Sequence, residues 1–173
     1  MKRTVVIASL LVLILVLSIG SYLYAQKIQS DMQKAANVSS FNVIFRYGVG
    51  SKNELNTFNG TYTIDQGAKP SITANLTLSV EEKWQILQTI AETDFFGLPS
   101  NFTVNPTFFV EPQVDYYIKV QNGTQTKELS WNDRSIMEDN EKSSLDQLVS
   151  SIQGVIAQNP ECKALPTPFV GYL

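Results

Sequence analysis

Phe41-Asn42-Val43-Ile44-Phe45-Arg46-Tyr47-Gly48-Val49-Gly50 decides how the rest of this chain is read. Phe41, Val43, Phe45, Tyr47 and Val49 recur at every second position, with Asn42 and Arg46 between them. A strand turns successive side chains to opposite faces, so this alternation predicts a half-buried β-strand. Gly48 to Ser51 and Asn53 to Asn56 supply turn chemistry after it. A second alternating run follows, with Phe58, Tyr62 and Ile64 on one side. After the punctuation of Gly67 and Pro70, Ile72, Ala74, Leu76 and Leu78 form a third.

The period then changes. Ser79-Val80-Glu81-Glu82 is a capping box, in which Ser79 accepts from the first-turn amides and Glu82 reaches back to Ser79. The helix it opens is expected to carry Val80, Trp84, Leu87 and Ala91 on its apolar stripe, with Ile90 beside it. It should stop near Asp94, ahead of Gly97 and Pro99, with Phe95 and Phe96 folded into the core edge. Residues 97–112 hold three prolines and form an irregular stretch. Val114, Tyr116, Ile118 and Val120 alternate up to Asn122-Gly123, a strong hairpin signal, and the return strand carries Leu129 and Trp131. A second helix is expected from Ser143 or Ser144. Leu145, Leu148, Val149, Ile152, Val155 and Ile156 line one side of it, and Asn159-Pro160 ends it. The tail from Leu165 to Leu173 reads as an extended surface segment.

The expected fold is therefore α+β: a two-layer sandwich of a five-stranded antiparallel sheet with two helices on one face, in the order β-β-β-α-β-β-α. It occupies residues 41–173 as a single domain, which is enough chain for a sizeable core.

Ahead of the domain, Lys2 and Arg3 precede an uncharged run of 21 residues, Val5 to Ala25. About 20 residues of helix cross a hydrocarbon core. Two readings compete for residues 1–25. A signal anchor uses the full length, with Lys2 and Arg3 held on the cytoplasmic side. A cleaved signal peptide uses the shorter core Val5 to Leu17, with cleavage after Gly20 or after Ala25. Either places the domain outside the cytoplasm, single-pass in the first case and secreted in the second. Residues 26–40 read as a polar spacer.

Five Asn-x-Ser/Thr triplets agree with export, at Asn37, Asn59, Asn75, Asn101 and Asn122. Twelve asparagines in so Ser/Thr-rich a chain would give roughly two by chance. Asn-Gly-Thr also arises as turn chemistry, which is the competing explanation.

Composition removes several function classes. The net charge is −3 and no basic stripe is present, which argues against a nucleic-acid partner. Histidine is absent and Cys162 is the single cysteine. Histidine triads, His-ligated zinc and an internal disulfide are therefore excluded. No cofactor fingerprint is present, since Gly48-x-Gly50 lacks a third glycine and opens no helix.

Weak sites remain. The loop from Asn132 to Glu141 offers oxygen ligands to calcium, but without the Asp-x-Asp-x-Asp-Gly spacing and with Arg134 among them; a solvated loop is the simpler reading. A carboxylate-based hydrolase would draw on Glu81, Glu82, Glu111, Asp115 and Asp133. Glu81 and Glu82 are already explained by the helix start. Phe95 to Tyr117 is aromatic-rich and reads either as a contact surface or as a lid in which Phe102, Phe108 and Phe109 close the end of the sheet. The loop from Gly48 to Thr57 is a further binding candidate on a strand scaffold.

Three stretches carry a resemblance: Phe45 to Tyr62, Asp94-Phe95-Phe96-Gly97-Leu98-Pro99, and Leu165 to Pro168. Over residues 41–173 the chain resembles a group of small exported or membrane-anchored proteins of archaea and some bacteria without an assigned function. It departs from them at Ile64-Asp65, where Lys-Asp is expected. The resemblance implies location and fold class and brings no catalytic residues. Taken together, the expected function is a non-enzymatic, membrane-tethered extracytoplasmic module that contacts a protein or cell-envelope component. A secreted inhibitor-like binder and a small carboxylate hydrolase are the alternatives.

Overall fold

The computed structural model describes residues 2–109 and 111–166, with side chains from Leu13 onward. It divides into two compact units, residues 1–37 and 38–173.

The first unit is one helix, α1 (Lys2–Val38), whose last residue already belongs to the second unit. The expected polar spacer is therefore helical almost to its end. Among the described residues, no helix is long and apolar enough to cross a membrane. Of the run 5–25 expected to form a membrane helix, only residues 13–25 are among those whose side chains are described. The uncharged run ends at Ala25, and Gln26, Lys27, Gln29 and Asp31 follow it. Residues 5–12, the first part of that run, lie outside the described side chains. Leu13 to Leu17 are exposed along the helix.

The second unit is α+β, as expected, but its sheet has six strands. These are β1 (Phe41–Val49), β2 (Asn53–Asn56), β3 (Thr61–Gln66), β4 (Lys69–Asn75), β6 (Val114–Asn122) and β7 (Gln125–Asn132). They lie in the order β4-β3-β2-β1-β6-β7, and every pairing is antiparallel. A second, two-stranded sheet joins β5 (Thr103–Val104) to β8 (Ser135–Ile136).

The additional strand of the main sheet, β2, is the segment Asn53-Glu54-Leu55-Asn56 that reads as a turn. One apolar residue in four gives no visible alternation, yet Leu55 pairs with both Phe45 and Tyr62 and is buried. Its neighbours on either side impose the strand. Phe58, expected on a strand face, sits in the turn after β2 and is exposed. β4 ends at Asn75, earlier than the alternation of Leu76 and Leu78 suggests, though both leucines are buried.

Register explains the core. Phe45 faces Ile118, Val43 faces Val120, and Ile118 in turn faces Leu129. All five are buried and share one side of the sheet. Helices α2 (Val80–Glu92) and α3 (Asp139–Gln158) cover that side. Their buried residues, among them Ile86, Ile90, Leu145, Leu148 and Ile152, join the strands in one core cluster. Phe95 opens a single 3-10 turn after α2 and is fully buried in the same cluster.

The cap of α2 is as expected. Ser79 Oγ accepts from the Glu82 amide at 3.2 Å and Glu82 Oε2 from the Ser79 amide at 2.7 Å. Its buried face is as expected in part, since Ile90 is buried and Trp84 and Leu87 pack against the core. Ile86, Thr89 and Ile90 are buried, whereas Val80 and Ala91 are exposed. Two threonines hide the rest of the stripe from a hydropathy reading. The Thr89 hydroxyl donates to Gln85 O and to Ser151 Oγ, and Thr93 donates to Thr89 O. With those hydroxyls satisfied, both residues sit inside at little cost.

α3 starts four residues before Ser143, because Glu138 and Glu141 form a reciprocal cap of their own. Asn159 ends it and starts a short helix, α4 (Pro160–Lys163), which the sequence reading passed over. Asn159 also donates to Glu82 Oε1 at 3.0 Å, tying the end of α3 to the start of α2. The tail expected to run extended lies outside the described residues from Thr167 onward.

Candidate functional site

The hairpin of β6 and β7 builds the most developed site. Its register sets Tyr116 opposite Trp131 on the helix-facing side of the sheet. The two rings stack at 5.1 Å with 12° between their planes. Ile118 and Leu129 continue the same face inward, so the aromatic pair stands at the far end of the sheet, away from the Gly123 turn.

Beyond Trp131 the chain makes a tight corner fixed by its polar side chains. Asn132 Oδ1 accepts from the Arg134 amide at 3.0 Å, and Ser135 Oγ accepts from the Asn132 amide at 3.0 Å. Asp133 Oδ2 accepts from the Val114 amide at 2.9 Å, pinning the first residue of β6. The Arg134 guanidinium donates to Asn105 O at 3.1 Å and lies 4.8 Å from the centre of the Phe109 ring. This corner therefore holds the segment that carries Phe108 and Phe109.

The cleft left between corner, aromatic pair and α3 has a volume of about 360 Å³. Phe108, Tyr116, Trp131, Asp133, Lys142 and Asp146 are among the residues around it. Lys142 and Asp146 form an ion pair at 2.7 Å, one turn apart on α3. The Tyr116 phenol is raised above its ordinary pKa, first by burial and then by the charges of Asp133 and Asp146, with Lys142 opposing. It is a neutral hydroxyl at physiological pH, able to donate or accept. An apolar floor with both charge signs at its rim suits binding of an amphipathic group.

No family profile, curated protein or solved structure matches this chain. The geometry is what speaks to function.

Of the five acids considered for hydrolysis, only Asp133 borders this cleft. Asp115 borders a separate cavity of about 300 Å³ that includes Phe102, Val104 and Tyr117, and its Oδ1 accepts from Gln113. Glu81 and Glu82 stand in the first turn of α2, and Glu111 is exposed before Pro112. Asp115 pairs with Asn132, next to Asp133 in the chain, yet the two acids border different cavities. The loop from Asn132 to Glu141 resolves into the corner, β8 and the cap of α3. Among the described residues, no three acidic or cysteine side chains gather as metal ligands.

The aromatic-rich segment splits. Phe102 packs against the core, as a lid would. Phe108 and Phe109 do not, being 49% and 75% exposed. The Gly48 to Thr57 loop is consumed by the end of β1 and by β2. Cys162 is half-buried beside Tyr47 and Tyr62, whose hydroxyls share a 2.7 Å hydrogen bond. Burial, then the charges of Glu161 and Glu82, push its thiol up to about 11. A thiol so raised is a poor nucleophile at neutral pH.

Four sequon asparagines, Asn37, Asn59, Asn75 and Asn101, are exposed and Asn122 is half-buried. The Tyr116–Trp131 pair was missed as a site because each residue alone reads as core. The counts do show a signal: Tyr116 lies six positions before Asn122 and Trp131 six after Gln125, so a tight hairpin sets the two rings opposite each other.

Proposed function

We propose that this chain is a membrane-tethered extracytoplasmic module that binds a protein or cell-envelope component without chemical turnover. The far-end cleft is its contact site. The observation that carries this reading is the pair of exposed phenylalanines, Phe109 under the Arg134 guanidinium and Phe108 on the wall of a cleft floored by Tyr116 and Trp131. Exposed large apolar side chains next to a half-open pocket with aromatic walls have the composition of interface cores.

Tethering rests on the sequence. Lys2 and Arg3 ahead of 21 uncharged residues support an anchor with the domain on the outer side. Cleavage after Gly20 or Ala25 would instead release a secreted binder with the same contact site. The resemblance to small exported proteins favours the same location.

The test is substitution of the rim without the core. Phe108→Ser with Phe109→Ser removes apolar contact area while leaving Tyr116 and Trp131 in place. The variant should fold as the parent does and lose its partner in a mild-detergent pull-down from native membranes. Retention of the partner would move the contact site elsewhere. A turnover of substrate abolished by Asp133→Asn would replace the binding reading with the hydrolase.

A further inference from the structure

Six asparagines outside the Asn-x-Ser/Thr triplets use their side chains structurally. Asn56 Oδ1 accepts from the amides of Phe58 and Asn59, and Asn53 donates to Tyr47 O and accepts from the Asp65 amide. Asn105 and Asn132 accept within their own turns, Asn159 caps α4, and Asn42 bonds Thr57. None of the five triplet asparagines does anything of the kind. Among the described residues, no hydrogen bond engages the side-chain amide of Asn37, Asn59, Asn75, Asn101 or Asn122.

This separates two explanations that sequence cannot. If Asn59-Gly60-Thr61 were turn chemistry, Asn59 should bond the turn; Asn56 does so instead, and Gly60 supplies the positive φ of 64°. In Asn122-Gly123-Thr124 the left-handed residue is Gly123, whose amide donates to Ser40 O. Asn75 is in no turn at all: it ends β4, opposite Thr61 in register.

Position adds a second regularity. Asn59, Asn75 and Asn122 all lie at the end of the sheet where β1 begins. Phe41 pairs with Asn122, Thr61 with Asn75, and the turn carrying Asn59 joins β2 to β3. The cleft is at the opposite end, by Val114 and Asn132. Asn101 stands apart, bridged to Ser130 at the outer edge of β7.

We propose that Asn59, Asn75 and Asn122 are N-glycan acceptors that sheathe the end of the sheet where β1 begins, leaving the cleft end bare. Each carboxamide nitrogen forms a bond to the anomeric carbon of an oligosaccharide. The bond broken is that carbon's link to the phosphate of a lipid-carried donor. The nitrogen's proton passes to a base of the transferring enzyme. The proposal rests on the extracytoplasmic placement above, since the donor and enzyme act there.

The test is glycopeptide mass mapping of the full-length protein from its native host, together with protease shaving of intact cells. Sugar on Asn59, Asn75 and Asn122 with a shaved domain is the expected result. Each Asn→Gln change should then remove one glycan increment from the intact mass. Made in a host without the transferase, Asn59→Gln and Asn75→Gln should keep the melting temperature within about 2 °C of the parent. A shaved domain with Asn59 and Asn75 both bare, or with sugar confined to Asn101, overturns the proposal and leaves the location standing. A domain protected from protease overturns both. A fall of many degrees on either substitution would show that the amide serves the fold instead.

Discussion

Replacing Ile86 by Ala tests the orientation of α2, the element on which hydropathy and structure disagree most. Ile86 is fully buried, with Ile90 and Phe95 in the same core cluster, whereas Val80 is 44% exposed. Cutting a buried isoleucine to alanine costs about 2–5 kcal/mol, from lost transfer energy and a residual cavity. A site walled by two helices and a sheet collapses poorly, which sets the expectation near 3 kcal/mol, about midway in that range. Val80→Ala removes exposed surface from the first turn of a helix and should change stability by less than about 0.5 kcal/mol. Trp84 and Trp131 report unfolding of the domain, so equilibrium urea denaturation followed by tryptophan fluorescence reads both variants. With an m value of about 2 kcal/mol/M, Ile86→Ala should lower the midpoint by about 1.5 M and leave the slope unchanged. Val80→Ala should move it by no more than about 0.25 M. The reasoning is refuted if the two changes cost the same, or if Val80→Ala costs more.

Three further outcomes follow from the caps and the shifted groups. Ser79→Ala should destabilise the domain by about 1 kcal/mol in the same urea experiment, since one amide at the α2 start loses its acceptor; no change would deny the cap a role. Because its thiol titrates at about 11, Cys162 should react slowly with a maleimide at pH 7.5, and the rate should climb with pH through 11. Rapid labelling of the folded protein at neutral pH would contradict the burial assigned to it. Tyr47 and Tyr62 are both raised above the ordinary phenol value, chiefly by burial. The unfolded chain gives up those protons near pH 10 while the folded one holds them, so stability should be full below about pH 10 and fall above it. Tyr62→Phe should reduce that alkaline loss, and an unchanged slope of stability against pH would remove this tyrosine from the explanation.

The sequence was most legible where one force dominated. The alternation at Phe41 to Val49 and the Asn122-Gly123 hairpin gave three strands, because aromatic and β-branched residues with a clear period leave little choice of face. The Ser79–Glu82 box located the start of α2 correctly. The face of α2 is legible at Trp84, Leu87 and Ile90 but not at Thr89 and Thr93, which look polar until their hydroxyls find Gln85 O, Ser151 and Thr89 O. β2 was invisible because its pairing comes from Phe45 and Tyr62 on either side, not from its own composition. The site was harder still. Phe108 and Phe109 are apolar by type and exposed by context, and only Arg134 and the corner at Asn132 decide that context. Asp133, treated as one of five scattered acids, gains meaning from the Val114 amide it holds.

The most direct test of the account is a paired pull-down from native membranes in mild detergent, the parent protein against Phe108→Ser with Phe109→Ser. Partners are identified by mass spectrometry, and folding of both proteins is checked by urea midpoint. The account predicts one stoichiometric partner with the parent, lost from a variant of unchanged stability. A partner held equally by both proteins, or none held by either, would contradict it.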